Sequence, residues 1–286
     1  MSYIGPAPAN SIIATSDIED GAVTSAKLGG NIVTPGTLDV NGQELILDAN
    51  ANTSLTADTD DQVDIKVGGT DVVTLTNSSF VLKGTTPTLT IGDAGTEDTK
   101  IVFDGHAQDY YIGLDDTDDD LKIGLGSAVG TTAHIVIDET GAVTKPLQPC
   151  VLAKVASKQN NVGGRDQQTD IPFATEIFDQ NSDYSSPSFT APVTGRYLMI
   201  AEVTCGQLDT DATFYQLYAV ASNRTLYAGI LPADKLFSSD AKMSITASQI
   251  IDMDANDTLK MQLSQSDGTS QTDIETASYL SICLLT

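Results

Sequence analysis

The chain has 286 residues, of which 40% are hydrophobic, so it is long enough for two or three small domains with cores of their own. Its 39 acidic and 14 basic residues give a net charge of −25, which argues against binding to nucleic acid or to an anionic membrane surface. No apolar run approaches the roughly 20 residues needed to span a bilayer, so no membrane insertion is expected.

Residues 1–35 are rich in Pro, Ala, Ser and Gly, and they show neither a strand nor a clear helix period. Pro6 and Pro8 favour an extended backbone here. No basic region followed by a long apolar stretch opens the chain, so no signal peptide is expected and synthesis in a cytosol is predicted. We interpret the segment as a docking arm, whose candidate contact residues are Tyr3, Ile4, Pro6, Pro8, Ile12 and Ile13.

Residues 36–145 consist of short alternating apolar segments separated by turn signals, which predicts an all-β region. The segments are "TLDVNGQELILD", "QVDIKVGGTDVVTLT", "SFVLKG", "TLTIGD", "TKIVFDGHAQDYYIGLD", "LKIGLG" and "AHIVIDETGAVT". The turn signals are Asn41-Gly42, Gly68-Gly69, Asp104-Gly105 and Thr140-Gly141. Because the strands have too few large residues for a thick private core, we expect a β-stalk stabilised by identical chains.

Residues 146–286 begin within a proline-punctuated hinge, "KPLQPC" (residues 145–150), and contain longer and more aromatic strands. Their spacing predicts a β-sandwich of jelly-roll type, a separate C-terminal head. Cys150, Cys205 and Cys283 are odd in number and far apart, which is neither a disulfide framework nor a metal pattern. We therefore expect all three to be small buried hydrophobic residues.

The stretch "YYIGLDDTDDDLKIGLG" raises the question of a metal site. Asp116, Asp118 and Asp120 match the first three ligand positions of an EF-hand loop. Leu121 stands where that loop requires Gly, and Ser127 stands where it requires Glu, so the EF-hand reading is rejected. A Ca²⁺ site of another type, completed by carboxylates of neighbouring chains, stays open; otherwise no cofactor is expected.

The alternative is a hairpin whose connection is acidic. Ile112 and Leu114 before the acids, and Leu121, Ile123 and Leu125 after them, recur at a period of two, which is typical of paired strands. Residues 116–119 would then form the connection, where Asp tolerates turn conformations.

Catalysis has little support in the sequence. His106 and His134 are the only imidazole bases, and no motif pairs either with a nucleophile. Paired carboxylates could cut a polysaccharide, but the chain has no Trp to form a platform for sugar rings. We expect a protein that is not an enzyme, with a fibre-borne polysaccharide depolymerase as a minor alternative.

Part of the head resembles the C1q/TNF-like trimeric jelly roll. The matching positions are Phe173, Phe178, Tyr184, Phe189, Pro192, Gly195 and Tyr197, together with "SQIIDMDANDTLKMQL" and the terminal "SYLSICLLT". Asn256-Asp257 departs from the Gly-Asp that is commoner there. The resemblance implies a homotrimeric head whose trimer core includes Phe173, Phe189, Tyr197, Tyr279, Ile282 and Leu284.

The front half resembles fibre proteins of marine bacteriophages in two stretches, "DIEDGAVTSAKLGGN" and "EDTKIVFDGHAQDYYIGLDDTDDDLKIGLGS". The resemblance implies an elongated homotrimer in the virion, assembled in the host cytoplasm and acting outside the cell. Its N-terminus would bind other virion proteins (tail, portal, adaptor, nozzle or capsid), and its head would bind a host receptor or glycan. The "AVTSAKL" unit, usually repeated, occurs once, so a capsid-mounted head fibre or decoration protein is an alternative to a tail fibre.

Overall fold

The computed structural model describes residues 18–19, 22, 40, 43–162, 165–233, 241–269 and 271–286. Tyr3, Ile4, Pro6, Pro8, Ile12 and Ile13 lie outside the described residues. The Asn41-Gly42 turn lies outside them as well.

Every regular element in the described ranges is a β-strand, which confirms the all-β prediction. The first ten strands are β1 (Leu45–Ile46), β2 (Ser54–Thr56), β3 (Gln62–Val67), β4 (Thr70–Thr76), β5 (Phe80–Leu82), β6 (Thr99–Phe103), β7 (Tyr110–Asp115), β8 (Asp120–Leu125), β9 (Ala133–Ile137) and β10 (Val143–Thr144). The others are β11 (Cys150–Lys154), β12 (Gln168–Asp170), β13 (Thr175–Asp179), β14 (Tyr184–Ser185), β15 (Ser188–Thr190), β16 (Gly195–Gly206), β17 (Phe214–Ala221), β18 (Arg224–Pro232), β19 (Met243–Met253), β20 (Thr258–Ser266), β21 (Asp273–Ile274) and β22 (Tyr279–Leu284).

The strands form four sheets, each with antiparallel pairing between neighbours. Sheet 1 has the order β1-β2-β3-β4-β5, and sheet 2 has the order β10-β9-β8-β7-β6, so both are meanders. Sheet 3 has the order β13-β11-β22-β16-β19, with β21 also paired to β16. Sheet 4 has the order β14-β15-β20-β17-β18, with β12 also paired to β20.

The chain divides into two compact units, residues 1–90 and residues 91–286. Sheet 1 belongs to the first unit, and sheets 2, 3 and 4 belong to the second. The three-part division at residues 35 and 145 stays a prediction.

Sheets 3 and 4 form a sandwich that encloses one apolar core, and their non-consecutive strand order is that of a jelly roll. Alternate residues of the long strand β16 point inward, and Tyr197, Met199, Ala201 and Val203 are almost completely buried. The ring of Phe189 on sheet 4 meets the ring of Tyr197 edge-on at a centroid distance of 5.4 Å. The jelly-roll prediction for the C-terminal part is therefore confirmed.

Two of the turns predicted in the first half are confirmed. Gly68 and Gly69 connect β3 to β4 with φ of +62° and +81°, and Gly141 takes φ of +89° between β9 and β10. Asp104-Gly105 instead begins a six-residue connection between β6 and β7, spanning residues 104–109. The predicted strand in "TLTIGD" is wrong, since residues 88–93 form no strand and Gly92 near their end takes φ of +96°.

Candidate functional site: the acidic turn and an apolar sheet face

The acidic stretch is a hairpin, as one of the two interpretations predicts. β7 ends at Asp115 and β8 begins at Asp120, and Asp119 adopts φ of +58° in the connection. Ile112 pairs with Ile123, and Leu114 pairs with Leu121, so the apolar residues share one face.

A lysine of the same hairpin binds the carboxylates. Lys122 Nζ lies 2.7 Å from Oδ2 of Asp115, 2.6 Å from Oδ2 of Asp118 and 3.9 Å from Oδ2 of Asp120. The Lys122 side chain is only 8% exposed. Asp116 is placed differently, since its backbone N–H donates a hydrogen bond to the carboxylate of Asp98 at 3.1 Å.

The electrostatics of this cluster follow from these contacts. Burial lowers the pKa of Lys122, but the hydrogen bonds to Asp115 and Asp118 outweigh burial and raise the pKa above its ordinary value. The hydrogen bond from Lys122 lowers the pKa of Asp115 in spite of the desolvation of that carboxyl group. Burial raises the pKa of Asp120, although the charge of Lys122 opposes the shift. The ammonium group is thus the counter-ion of this turn.

Two of the three calcium candidates, Asp118 and Asp120, face this ammonium group. In the part of the chain that the structure describes, no group of three or more His, Cys, Asp or Glu side chains is arranged to hold a metal ion. A cation bound by these carboxylates would be repelled by the positive charge of the neighbouring ammonium group. This geometry favours the acidic hairpin over the calcium site within one chain.

The two histidines lie apart. His106 is in the connection between β6 and β7, and His134 is on β9 with its ring centroid 6.1 Å from that of Tyr110. The expectation that the protein is not an enzyme stays a prediction.

In the described ranges no helix is long and apolar enough to cross a membrane.

The outer face of sheet 3, turned away from the sandwich core, carries a second group of candidate residues. Phe178 pairs with Leu152, and Ile250 pairs with Leu198, which places these four side chains on that face. Ile200 follows two residues after Leu198 on β16 and shares the face. Phe178, Ile200 and Ile250 are between 46% and 62% exposed, so this apolar group faces solvent in the single chain.

The predicted trimer-core residues fall into two groups. Phe173, Phe189, Tyr197 and Ile282 have no exposed surface in the single chain, because they pack between sheets 3 and 4. They belong to the core of one chain and leave no surface for a second chain, which corrects the role implied by the resemblance. Tyr279 and Leu284 keep exposed surface on β22, the last strand along the chain and the central strand of sheet 3.

The cysteines correct another prediction. Cys150 on β11 and Cys283 on β22 are bonded in a disulfide, although 133 positions separate them in the chain. They lie opposite each other because β11 and β22 pair with Cys150 in register with Cys283. Cys205 is free and buried, as predicted for all three. The disulfide could not be predicted from the spacing of the cysteines, because it depends on the pairing of β11 with β22.

No protein-family model and no curated protein sequence matches the chain. Among solved structures, the globular domain of zebrafish complement 1qA protein is similar with 12% identity and a TM-score of 0.36, over 49% of this chain and 98% of that one. A crystal structure of murine APRIL at pH 8.5 is similar with 11% identity and a TM-score of 0.35, over 48% of this chain and 99% of that one. The jelly-roll topology itself is read from the strand order of sheets 3 and 4.

Proposed function

We propose that the chain is a non-enzymatic structural protein of a bacteriophage particle, a homotrimeric fibre anchored to the virion through residues 1–35. The C-terminal jelly roll is the head that contacts the host surface, through a receptor or a glycan. Other virion proteins, at the tail or on the capsid, hold the N-terminal arm.

The observation that carries the proposal is a contrast between the sheets. Sheets 3 and 4 enclose a complete core, so the jelly roll has an interior of its own. Sheets 1 and 2 are single layers with large apolar side chains exposed, among them Phe80 and Phe103. Single layers of this kind need other chains to cover them, which suits the shaft of a fibre, whereas a closed sandwich suits a head.

Two further features support the proposal. The stretches that resemble marine phage fibres cover β6, β7 and β8 as well as part of the N-terminal arm. The net charge of −25 is tolerated in a salty extracellular medium, where charges separated by more than roughly 8 Å are screened. The outer face of sheet 3 offers an apolar contact through which three heads could meet.

Immunogold electron microscopy of particles carrying the full chain, or the chain without residues 1–35, tests the anchor. We expect label on particles with the full chain and none with the truncated chain. Circular dichroism of the purified truncated chain controls for misfolding. Label that persists without residues 1–35 would contradict the anchor, and absence of the full chain from particles would contradict the virion role.

A second experiment tests the head. The purified full chain is incubated with host cells and, separately, with host polysaccharide. Cell binding without formation of new reducing ends supports attachment. Release of reducing ends would instead identify a depolymerase, and a chain that binds no cells would point to a decoration protein.

A further inference from the structure

We propose that one face of sheet 2 is a self-association surface, through which the chain binds the same face of identical chains. This face, called the isoleucine face below, comprises Ile101, Phe103, Tyr110, Ile112, Leu114, Leu121, Ile123, Leu125, Ile135, Ile137 and Val143. The inference deepens the proposed function, on whose homotrimeric assembly it rests, by naming the surface that joins the chains.

The register of sheet 2 puts these side chains into rows across the strands. The middle row consists of four isoleucines, because Ile112 pairs with Ile101 and Ile123, and Ile123 also pairs with Ile135. A second row runs from Leu114 through Leu121 to Ile137 and Val143, with Thr99 at its end. Phe103, Tyr110 and Leu125 form the third row. No charged side chain stands in these three rows.

The isoleucine face is open to water in the single chain. Seven of its large side chains are each between 38% and 61% exposed: Ile101, Phe103, Tyr110, Ile112, Leu114, Leu121 and Val143. All seven lie on one face of one sheet, whereas monomeric proteins rarely expose contiguous apolar patches larger than a few hundred Å². Stable interfaces bury about 800 Å² on each partner, and extended exposed apolar patches of this kind mark contacts between proteins.

The reverse face of sheet 2 is already closed by the chain itself. The segment 126–132 crosses it, and the backbone N–H of Gly130 donates a hydrogen bond to the hydroxyl of Tyr111 at 3.1 Å. Tyr111 is fully buried under this segment. A Cβ atom on Gly113 would lie only 2.8 Å from Cγ2 of Val129, so glycine is what lets the segment approach.

This closure explains the repeated "IGL" of the two strands. In Ile112-Gly113-Leu114 and in Ile123-Gly124-Leu125, the outer two residues lie on the isoleucine face and the glycine lies on the closed face. Tyr111 occupies the space that a side chain at residue 124 would need. Segment 126–132 thus covers the reverse face, while the isoleucine face stays exposed.

The charge of the chain and the presence of identical chains indicate that the partner bound on the isoleucine face is a second copy of this chain. Chains of net charge −25 repel one another, so identical chains meet with least repulsion where acidic side chains are absent, and the isoleucine face is such a place. The charged residues of the same strands, such as Asp115 and Lys122, lie on the reverse face. A single five-stranded layer needs a second layer to be stable, and another copy of the chain is present wherever the chain is made.

Sheet 1 repeats the arrangement independently. Leu55 pairs with Leu45 and Ile65, and Ile65 pairs with Val73, so an apolar row crosses the sheet. The other face of sheet 1 holds a polar cluster, in which Thr74 donates a hydrogen bond to the buried carboxylate of Asp64. A chain whose two meander sheets both present apolar rows to water is built for association along them.

Chemical cross-linking of the purified full chain tests the surface directly. A cysteine is placed in the middle row by Ile112→Cys, and the matched control is Thr131→Cys in the exposed part of segment 126–132. A short bis-maleimide reagent at low protein concentration should convert the Ile112→Cys protein into covalent dimers, since each chain offers one accessible thiol, and should leave the control monomeric on a denaturing gel. Equal cross-linking of both variants, or of neither, would overturn the inference.

Thermal stability gives a second readout. At a position exposed in a monomer, Ile112→Glu should leave the melting temperature nearly unchanged, as Thr131→Glu should. If the face is covered by another chain, Ile112→Glu lowers the melting temperature by ~5 °C or more while Thr131→Glu does not. A wild-type chain with the mass of one copy, 30.0 kDa, by light scattering, or an unchanged melting temperature for Ile112→Glu, would sink the proposal.

These measurements are independent of the virus. Cross-linked dimers and a multiple of the single-chain mass by light scattering, for a chain that never joins particles, would uphold the inference and refute the virion role. A monomeric chain found on particles would do the reverse.

Discussion

The ammonium group of Lys122 lies 2.7 Å from Oδ2 of Asp115, and both side chains are nearly buried on the closed face of sheet 2. A second carboxylate, that of Asp118, lies 2.6 Å from the same nitrogen. The pair sits where the hairpin would otherwise hold several carboxylates close together without a counter-ion. The lysine therefore stabilises the acidic hairpin, and its removal should lower the free energy of unfolding.

We expect Lys122→Met to destabilise the protein by roughly 3 kcal/mol, because Asp115 would stay buried without a partner. Unfolding in guanidinium chloride, followed by circular dichroism, measures the change. Lys100→Met is the matched control, since Lys100 is exposed and stands in the same cross-strand row through Gly113. Equal changes in the free energy of unfolding for the two substitutions would mean that the ion pair of Lys122 with Asp115 does not stabilise the fold.

The same ion pair predicts how the stability difference changes with pH. The hydrogen bond from Lys122 lowers the pKa of Asp115, so its contribution is present above the ordinary carboxyl pKa of about 4 and is lost as pH falls through the lower folded pKa. The gap in melting temperature between wild type and Lys122→Met should therefore narrow below about pH 4. Melting curves recorded at a series of pH values test this, and a gap that stays constant down to acid unfolding would argue against the assignment.

Much of this region could be predicted from the sequence. The period of two in "YYIGL" and "LKIGL" predicts two strands and an acidic connection, and both are found. Alternation alone, however, could not tell which face is covered. Segment 126–132 crosses the face on which Lys122 lies, and because this segment has no hydrophobic period, the sequence does not indicate where it packs.

In the head, too, the sequence predicts the strands but not which of their residues are buried against which partner. Its jelly-roll class follows from strand length and turn spacing, but the roles of Phe189 and Tyr197 do not. Both alternate correctly for a buried position, and alternation cannot distinguish burial inside one chain from burial between chains. The register of β11 with β22, which brings Cys150 against Cys283, is likewise a long-range property that local pattern does not encode.

The contacts of Lys122 also lead to a prediction about calcium. Because the ammonium group already serves as the counter-ion that binds Asp118 and Asp115, we expect EDTA and added Ca²⁺ to leave the melting temperature unchanged within ~1 °C. Differential scanning calorimetry of the full chain is the measurement. A large fall with EDTA that Ca²⁺ restores would contradict this expectation and would make Asp116, Asp118 and Asp120 ligands of a site shared between chains.

The disulfide predicts a dependence on reductant. It joins the first and last strands of the jelly roll and closes a segment of 133 residues, so opening it gives the unfolded chain much more freedom. We expect the double substitution Cys150→Ala with Cys283→Ala to cost about 2–5 kcal/mol in the free energy of unfolding. Dithiothreitol should lower the melting temperature of the wild type towards that of the double variant, and should leave the double variant unchanged.

Cys205→Ala provides the control for this experiment, since it removes the free buried thiol and keeps the bond. That variant should stay sensitive to the reductant. Because burial raises the pKa of the Cys205 thiol to about 12, the thiol stays protonated at neutral pH and should not exchange with the disulfide. The melting temperature of the wild type could instead stay unchanged in dithiothreitol although mass spectrometry shows that the disulfide has been reduced. That result would mean that the pairing of β11 with β22 holds the head closed without the bond.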